Sequence, residues 1–129
     1  MICCIISRDN KYKNDNEPEF IAVKARLRAM IWELYCSGYD EFWVNCEYGI
    51  PLWSAEIVIA LKMYNDIKLH IAMPYEEQTT EWAEEYRDRF YTAHEKADTV
   101  KIISNHHTED YYDMADSYMM DMADRTIIV

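Results

Sequence analysis

Phe42-Trp43-Val44, an amphipathic stretch from Pro51 to Tyr64, and the apolar run Ile67 to Ala72 constrain this chain most. They read as strand, helix and strand within about 30 residues, the length of a βαβ unit. The crossover of such a unit is right-handed and its strands are parallel. Ligands of parallel sheets sit beyond the carboxyl ends of the strands, beside helix N-termini. The turn Asn45-Cys46-Glu47-Tyr48-Gly49-Ile50-Pro51 is therefore the first wall of any small-molecule site.

The remaining segments extend the alternation. Ile2 to Ile6 reads as a strand buried on both faces, and Ser7 to Pro18 as a polar loop, longer than the usual connection in α/β domains. Phe20, Val23, Leu27, Met30, Ile31 and Leu34 recur at helical spacing, which predicts a helix over Glu17 to Cys36, stopped by Gly38. Glu41 to Asn45 is the second strand, and Pro51 suits the first turn of the helix that follows. The third strand ends at Ala72, where Met73-Pro74-Tyr75 turns the chain outward. Thr79 or Thr80 starts a helix running to Lys96, with Trp82, Tyr86, Phe90 and Ala93 as its buried stripe and Glu81, Glu84 and Glu85 favourable to its dipole. Thr99 to Ile103, Glu109 to Met122 and Arg125 to Val129 complete the order as strand, helix and strand. Strands alternating with helices predict a three-layer α/β domain, Rossmann-like, with a mainly parallel five-stranded sheet and helices on both faces.

At 129 residues one domain over 1–129 is expected, with a sizeable core. Because the chain closes on the strand Ile127-Ile128-Val129, where a loop and a covering helix would ordinarily follow, a C-terminally shortened fold is expected. Eleven tyrosines and eight methionines predict a core or interface with polar-ended and adaptable side chains. Two glycines argue against a glycine-rich phosphate loop. A net charge of −11 disfavours nucleic acid, since phosphates would be repelled. The cluster Lys24, Arg26 and Arg28 reads as a solvated helix face. Cys3, Cys4, Cys36 and Cys46 lack zinc-ligand spacing and read as buried free thiols of a reducing compartment. The N-terminal run Met-Ile-Cys-Cys-Ile-Ile is too short for a signal peptide or membrane span, so a cytoplasmic protein without membrane contact is expected.

Several side chains fall where a site would lie. Arg8 follows the first strand and suits an anion, which a guanidinium binds bidentately. Asn45 and Gly49 shape the turn after the second strand. Glu56, inside the following helix, can accept a sugar hydroxyl or polarise a water, and is the one weak catalytic candidate. Gln78 and Trp82 follow the third strand, suited to reading a base edge and stacking on it. Cys46, at a strand end, is a thiol with no base identifiable beside it. His106 and His107 beside Glu109, Asp110 and Asp113 read as a surface loop rather than a metal site, and no metal or other cofactor is identified. Asp110, Asp113, Asp116, Asp121 and Asp124 read as a solvated acidic face, with Met114, Met119, Met120 and Met122 as an adaptable stripe.

Three motifs carry a resemblance. Gly49-x-x-x-Trp53-x-Ala55-Glu56, Pro74-Tyr75-x-x-Gln78-x-x-x-Trp82 and Met120-Asp121-x-Ala123-Asp124 resemble the YpsA-like family of the SLOG superfamily of Rossmann-like domains, to which the LOG enzymes also belong. The likeness covers 38–129, with a vaguer match before it. It implies a pocket for a nucleotide or nucleotide-derived ligand above the strand ends, a bacterial or phage origin, and Arg8, Asn45, Gly49, Glu56, Gln78 and Trp82 as its residues. The chain departs from the family pattern after its first strand, with Ser7-Arg8-Asp9-Asn10 in place of a Gly-x-Arg-Pro-like signature. After its second strand, Asn45-Cys46-Glu47-Tyr48 replace small residues, adding bulk and negative charge where a phosphate would sit. Three functions remain open: a non-catalytic binding domain, a LOG-like nucleotide-processing hydrolase using Glu56, and a degenerate member acting through protein contacts, including homo-oligomer formation.

Overall fold

The computed structural model describes residues 1–7, 18–104 and 111–129. Five strands alternate with four helices: β1 (Ile2–Ile6), α1 (Pro18–Cys36), β2 (Glu41–Val44), α2 (Ile50–Lys62), β3 (Lys68–Tyr75), α3 (Glu84–Lys96), β4 (Thr99–Ser104), α4 (Tyr111–Met122) and β5 (Arg125–Ile128). The strands form one sheet in the order β4-β3-β2-β1-β5, and every neighbouring pair is parallel. This is the Rossmann-like α/β arrangement that the alternation predicts.

The strand order assigns the layers. The chain steps from β1 to β4 in one direction, so right-handed crossovers carry α1, α2 and α3 to one face. It then returns from β4 past β1 to β5, which puts α4 on the other face. Side chains alternate along the strands accordingly. Cys3, Ile5, Phe42, Val44, Leu69, Ile71 and Met73 pack with Leu27, Ile31, Trp53, Val58, Phe90 and Ala93 in the larger core. Cys4, Ile6, Trp43 and Ala72 pack under Met119 of α4 in a smaller one. β4 and β5, the two edges, are the least covered strands.

Gly38 ends α1 as its sequence position predicts. It adopts φ +108°, its N–H donates to the Tyr35 carbonyl, and the N–H of Tyr39 donates to that of Leu34. This is the paired termination that glycine permits at no steric cost.

Two boundaries differ from expectation by more than two residues. β3 runs through Pro74 to Tyr75 instead of ending at Ala72. β2 has already stopped at Val44, opposite Ile71, whereas β4 continues alongside to Ser104, opposite Tyr75. Pro74 thus lies where only one neighbouring strand remains, a situation in which a strand tolerates a missing N–H. The third helix starts at Glu84, not at Thr79 or Thr80. Successive turns precede it, with the N–H groups of Gln78, Thr80 and Trp82 donating to the carbonyls of Tyr75, Glu77 and Thr79. Ala83, in extended conformation, is its N-cap, and Glu84 and Glu85 occupy its first turn, where carboxylates suit the dipole.

Candidate functional site at the strand ends

Beyond Val44 the backbone makes the bend that a strand-to-helix turn requires. Cys46 takes φ +56° and Gly49 φ +102° with ψ −136°, a region essentially reserved for glycine. Gly49 is the N-cap of α2, its carbonyl accepting from the Trp53 N–H at 2.9 Å. The Glu47 carbonyl accepts from the Leu52 N–H at 3.0 Å.

Asn45 ties three elements together. Its Nδ2 donates to Asp116 Oδ1 on α4 at 3.2 Å, and its Oδ1 accepts from the Glu47 N–H at 2.9 Å. Its backbone carbonyl accepts from Gln78 Nε2, on the turn after β3, at 3.2 Å. Asn45, Gln78 and Asp116 are all buried, at 4%, 4% and 7% exposure. A buried polar network of this kind fixes one arrangement when its members are satisfied. The Gln78 Oε1, however, is buried with no hydrogen-bond partner among the described residues.

Glu47 is half-buried beside this network. Its Oε1 accepts from the Tyr48 N–H at 2.9 Å, but burial dominates and pushes its carboxyl up to about 7. Aromatic rings line the same turn. Tyr48 lies 4.5 Å from Tyr86 and 6.2 Å from Trp82, ring centre to ring centre, and Trp82 meets Phe90 edge-on at 5.4 Å.

Of the residues expected to form a site, Asn45 and Gln78 are joined by a hydrogen bond. Gly49 shapes the same turn, and Trp82 stands near its Tyr48. Glu56 is engaged elsewhere, in a two-pronged ion pair with Arg89 of α3: Nε to Oε2 at 2.9 Å and Nη2 to Oε1 at 2.6 Å. Both carboxylate oxygens are occupied, and the pair clamps α2 to α3. With side chains 24% and 36% exposed, solvent screens it, so a double-mutant cycle of Glu56→Gln and Arg89→Met is expected to give a coupling of about 0.5 to 1 kcal/mol in urea unfolding. Strictly additive effects would show that the clamp contributes nothing. Arg8, His106, His107, Glu109 and Asp110 lie outside the described residues.

Asp116 corrects the expectation of a wholly solvated acidic face. It shares the inner stripe of α4 with buried Ala115 and Met119, whereas Asp113, Asp121 and Asp124 are exposed. The spacing of 115, 116 and 119 carries that signal. Cys36 is exposed, unlike the other three cysteines, all of which are free. Burial raises the Cys46 thiol far above its ordinary range, which leaves it an inert core group. Among the described residues no group of three His, Cys, Asp or Glu side chains could hold a metal ion, and no helix is long and apolar enough to cross a membrane.

A groove of about 590 Å³ lies elsewhere, between α1 and α2, lined by Ala25, Arg28, Ala29, Trp32, Ala60 and Tyr64 among others. It lies beside the C-terminal end of α2, which leads into the start of β3, and so is at the opposite end of the sheet from Asn45. Its lining is mainly apolar, with Arg28, Tyr64 and Asn65 as its polar members.

Comparison with known proteins places these features in context. The profile of the YspA SLOG family matches residues 11–129. The chain is 34% identical over 125 residues to UPF0398 protein SERP1017 of Staphylococcus epidermidis, covering 93% of this chain and 65% of that protein. It is 30% identical over 120 residues to UPF0398 protein SH1465 of Staphylococcus haemolyticus, covering 89% of this chain and 63% of that one. A Staphylococcus aureus relative, UPF0398 protein SaurJH9_1506, is 26% identical over 118 residues. The chain thus spans less than two thirds of the length of these relatives.

Proposed function

Because the chain belongs to the YspA SLOG family, we propose that it is a binding domain for a nucleotide-derived ligand held over the carboxyl ends of β2 and β3. The observation that carries this reading is the convergence of Asn45, Gln78 and Asp116 from three separate elements on one buried network at those ends. Stability alone does not call for it, since an apolar contact there would pack as well at less desolvation cost. The rings of Tyr48, Trp82 and Tyr86 supply flat apolar surface beside it, suited to a base. Binding is favoured over hydrolysis by the state of Glu56, whose two oxygens are held by Arg89 rather than free to take a proton from water.

A thermal-shift screen against nucleosides, nucleotides and dinucleotides tests this. A ligand at about 100 times its Kd adds roughly 2.7 kcal/mol, several degrees in Tm for a domain of this size. The expected result is a shift that is reduced in Trp82→Ala and retained in Glu56→Gln. A flat response across the panel would overturn the reading in favour of a domain acting through protein contacts.

A further inference from the structure

The chemistry at the strand ends also bears on which part of a nucleotide-like ligand is held there. The side chains joined through Asn45 are two amides and one acid: Asn45 itself, Gln78 and Asp116. A second acid, Glu47, is linked to Asn45 through its backbone N–H. Both ends of the Asn45 amide are engaged within the network, and Gln78 Nε2 is engaged by the Asn45 carbonyl. That bond fixes the plane of the Gln78 amide and with it the Oε1 end, which is buried and meets no donor among the described residues. An amide oxygen accepts hydrogen bonds and cannot donate them, so the group that satisfies it must carry an N–H or O–H. Asp116 and Glu47 have the same preference when ionised. A phosphate offers the opposite chemistry, acceptors and negative charge. Placed here it would meet the Asp116 carboxyl of the network, with Glu47 on the same turn, in a chain whose net charge is −11.

We propose that the site around Asn45 holds a phosphate-free, hydrogen-bond-donating heterocycle, a nucleobase or nucleoside, with Gln78 Oε1 as the acceptor that selects it. The inference rests on the binding function above and narrows its ligand. The stacking surface is Tyr48, Trp82 and Tyr86, and every base presents a face to it. Discrimination comes from the acceptors, since a site that leaves a buried acceptor unpaired rejects a ligand lacking the donor.

Titration calorimetry on the intact chain decides it, with adenosine, guanosine, cytidine and uridine compared with their 5′-monophosphates. The expected result is binding of at least one nucleoside, with its monophosphate at least tenfold weaker. Gln78→Leu is expected to weaken the nucleoside at least tenfold. Glu47→Gln, which preserves shape and removes the charge, is expected to narrow the gap between nucleoside and monophosphate severalfold. A monophosphate that binds as tightly as its nucleoside would overturn this inference and leave the proposed function standing. An unchanged nucleoside affinity in a folded Gln78→Leu would likewise remove Gln78 as the selecting group. Absence of binding by all eight compounds, together with a flat thermal screen, would overturn both.

Discussion

Replacing Trp53 with alanine is expected to destabilise the fold by about 3 to 5 kcal/mol, the usual cost of removing a large aromatic ring from a core. Trp53 is 1% exposed and among the largest fully buried side chains. From α2 it meets the Phe20 ring of α1 at 6.0 Å between centroids, and Lys24 Nζ lies 4.9 Å from its own centroid. Its loss would open a cavity between two helices and the sheet, where neighbours attached to separate elements can collapse only partly. Urea unfolding should show the change as a lower midpoint at unchanged slope, and heating as a fall of roughly 10 °C or more. A loss below about 1 kcal/mol would contradict the burial described. Trp82, half-buried on the turn before α3, should cost distinctly less. That contrast separates the tryptophan that fills the core from the one at the rim of the turn before α3.

Glu47 should make stability depend on pH in a defined window. Burial raises its carboxyl from the ordinary 4.5 to about 7 in the folded chain. The folded state therefore binds this proton more tightly than the unfolded state does. The contribution favourable to folding is full below about 4.5, is lost as pH rises through about 7, and stays lost above it. A shift of that size corresponds to roughly 3 kcal/mol as an upper figure. Asp98 acts in the opposite sense: its carboxyl is lowered, with bonds from Lys62 and the Leu69 N–H outweighing desolvation, so its contribution is lost on acidification below the ordinary carboxylate range. The two windows do not overlap. Glu47→Gln keeps an oxygen for the Tyr48 N–H and cannot ionise. The difference in stability between the variant and the parent should be flat below about pH 4.5 and grow in favour of the variant up to about pH 7.5. A difference independent of pH from 4 to 8 would show that Glu47 titrates as it does in water.

The legibility of the chain followed the range of the interactions involved. Strand-forming runs such as Ile2 to Ile6 and the helical spacing of Phe20, Leu27, Ile31 and Leu34 are local signals, and they appear in the fold with boundaries shifted by a residue or so. Gly38 and Gly49 were readable as turns because both conformations have positive φ. α3 starts several residues after Thr79 and Thr80, which look like caps in sequence, because Thr79 is buried within the turns that precede the helix. β3 runs past Pro74, although proline reads as a strand breaker in sequence. Its tolerance at 74 depends on how far β2 extends, which is not a property of β3 at all.

The site divides in the same way. Asn45, Gly49, Gln78 and Trp82 could be named as residues at strand ends from the alternation and the family motifs. Their partners could not. Asp116 belongs to a helix about seventy residues further on in the chain than Asn45, and only the β4-to-β5 return across the sheet brings it to the Asn45 amide. Glu56 was readable as an acid one turn into α2, but its engagement by Arg89 depends on how α2 and α3 pack.

The sequence by itself determined the order of elements, the parallel sheet and the end of the sheet where a ligand would lie, because periodicity and turn chemistry are written in neighbouring residues. Only the tertiary structure decided which polar groups meet, which acid is buried and which is paired. Hydrogen bonding and desolvation act between groups brought close in space, whatever their separation along the chain.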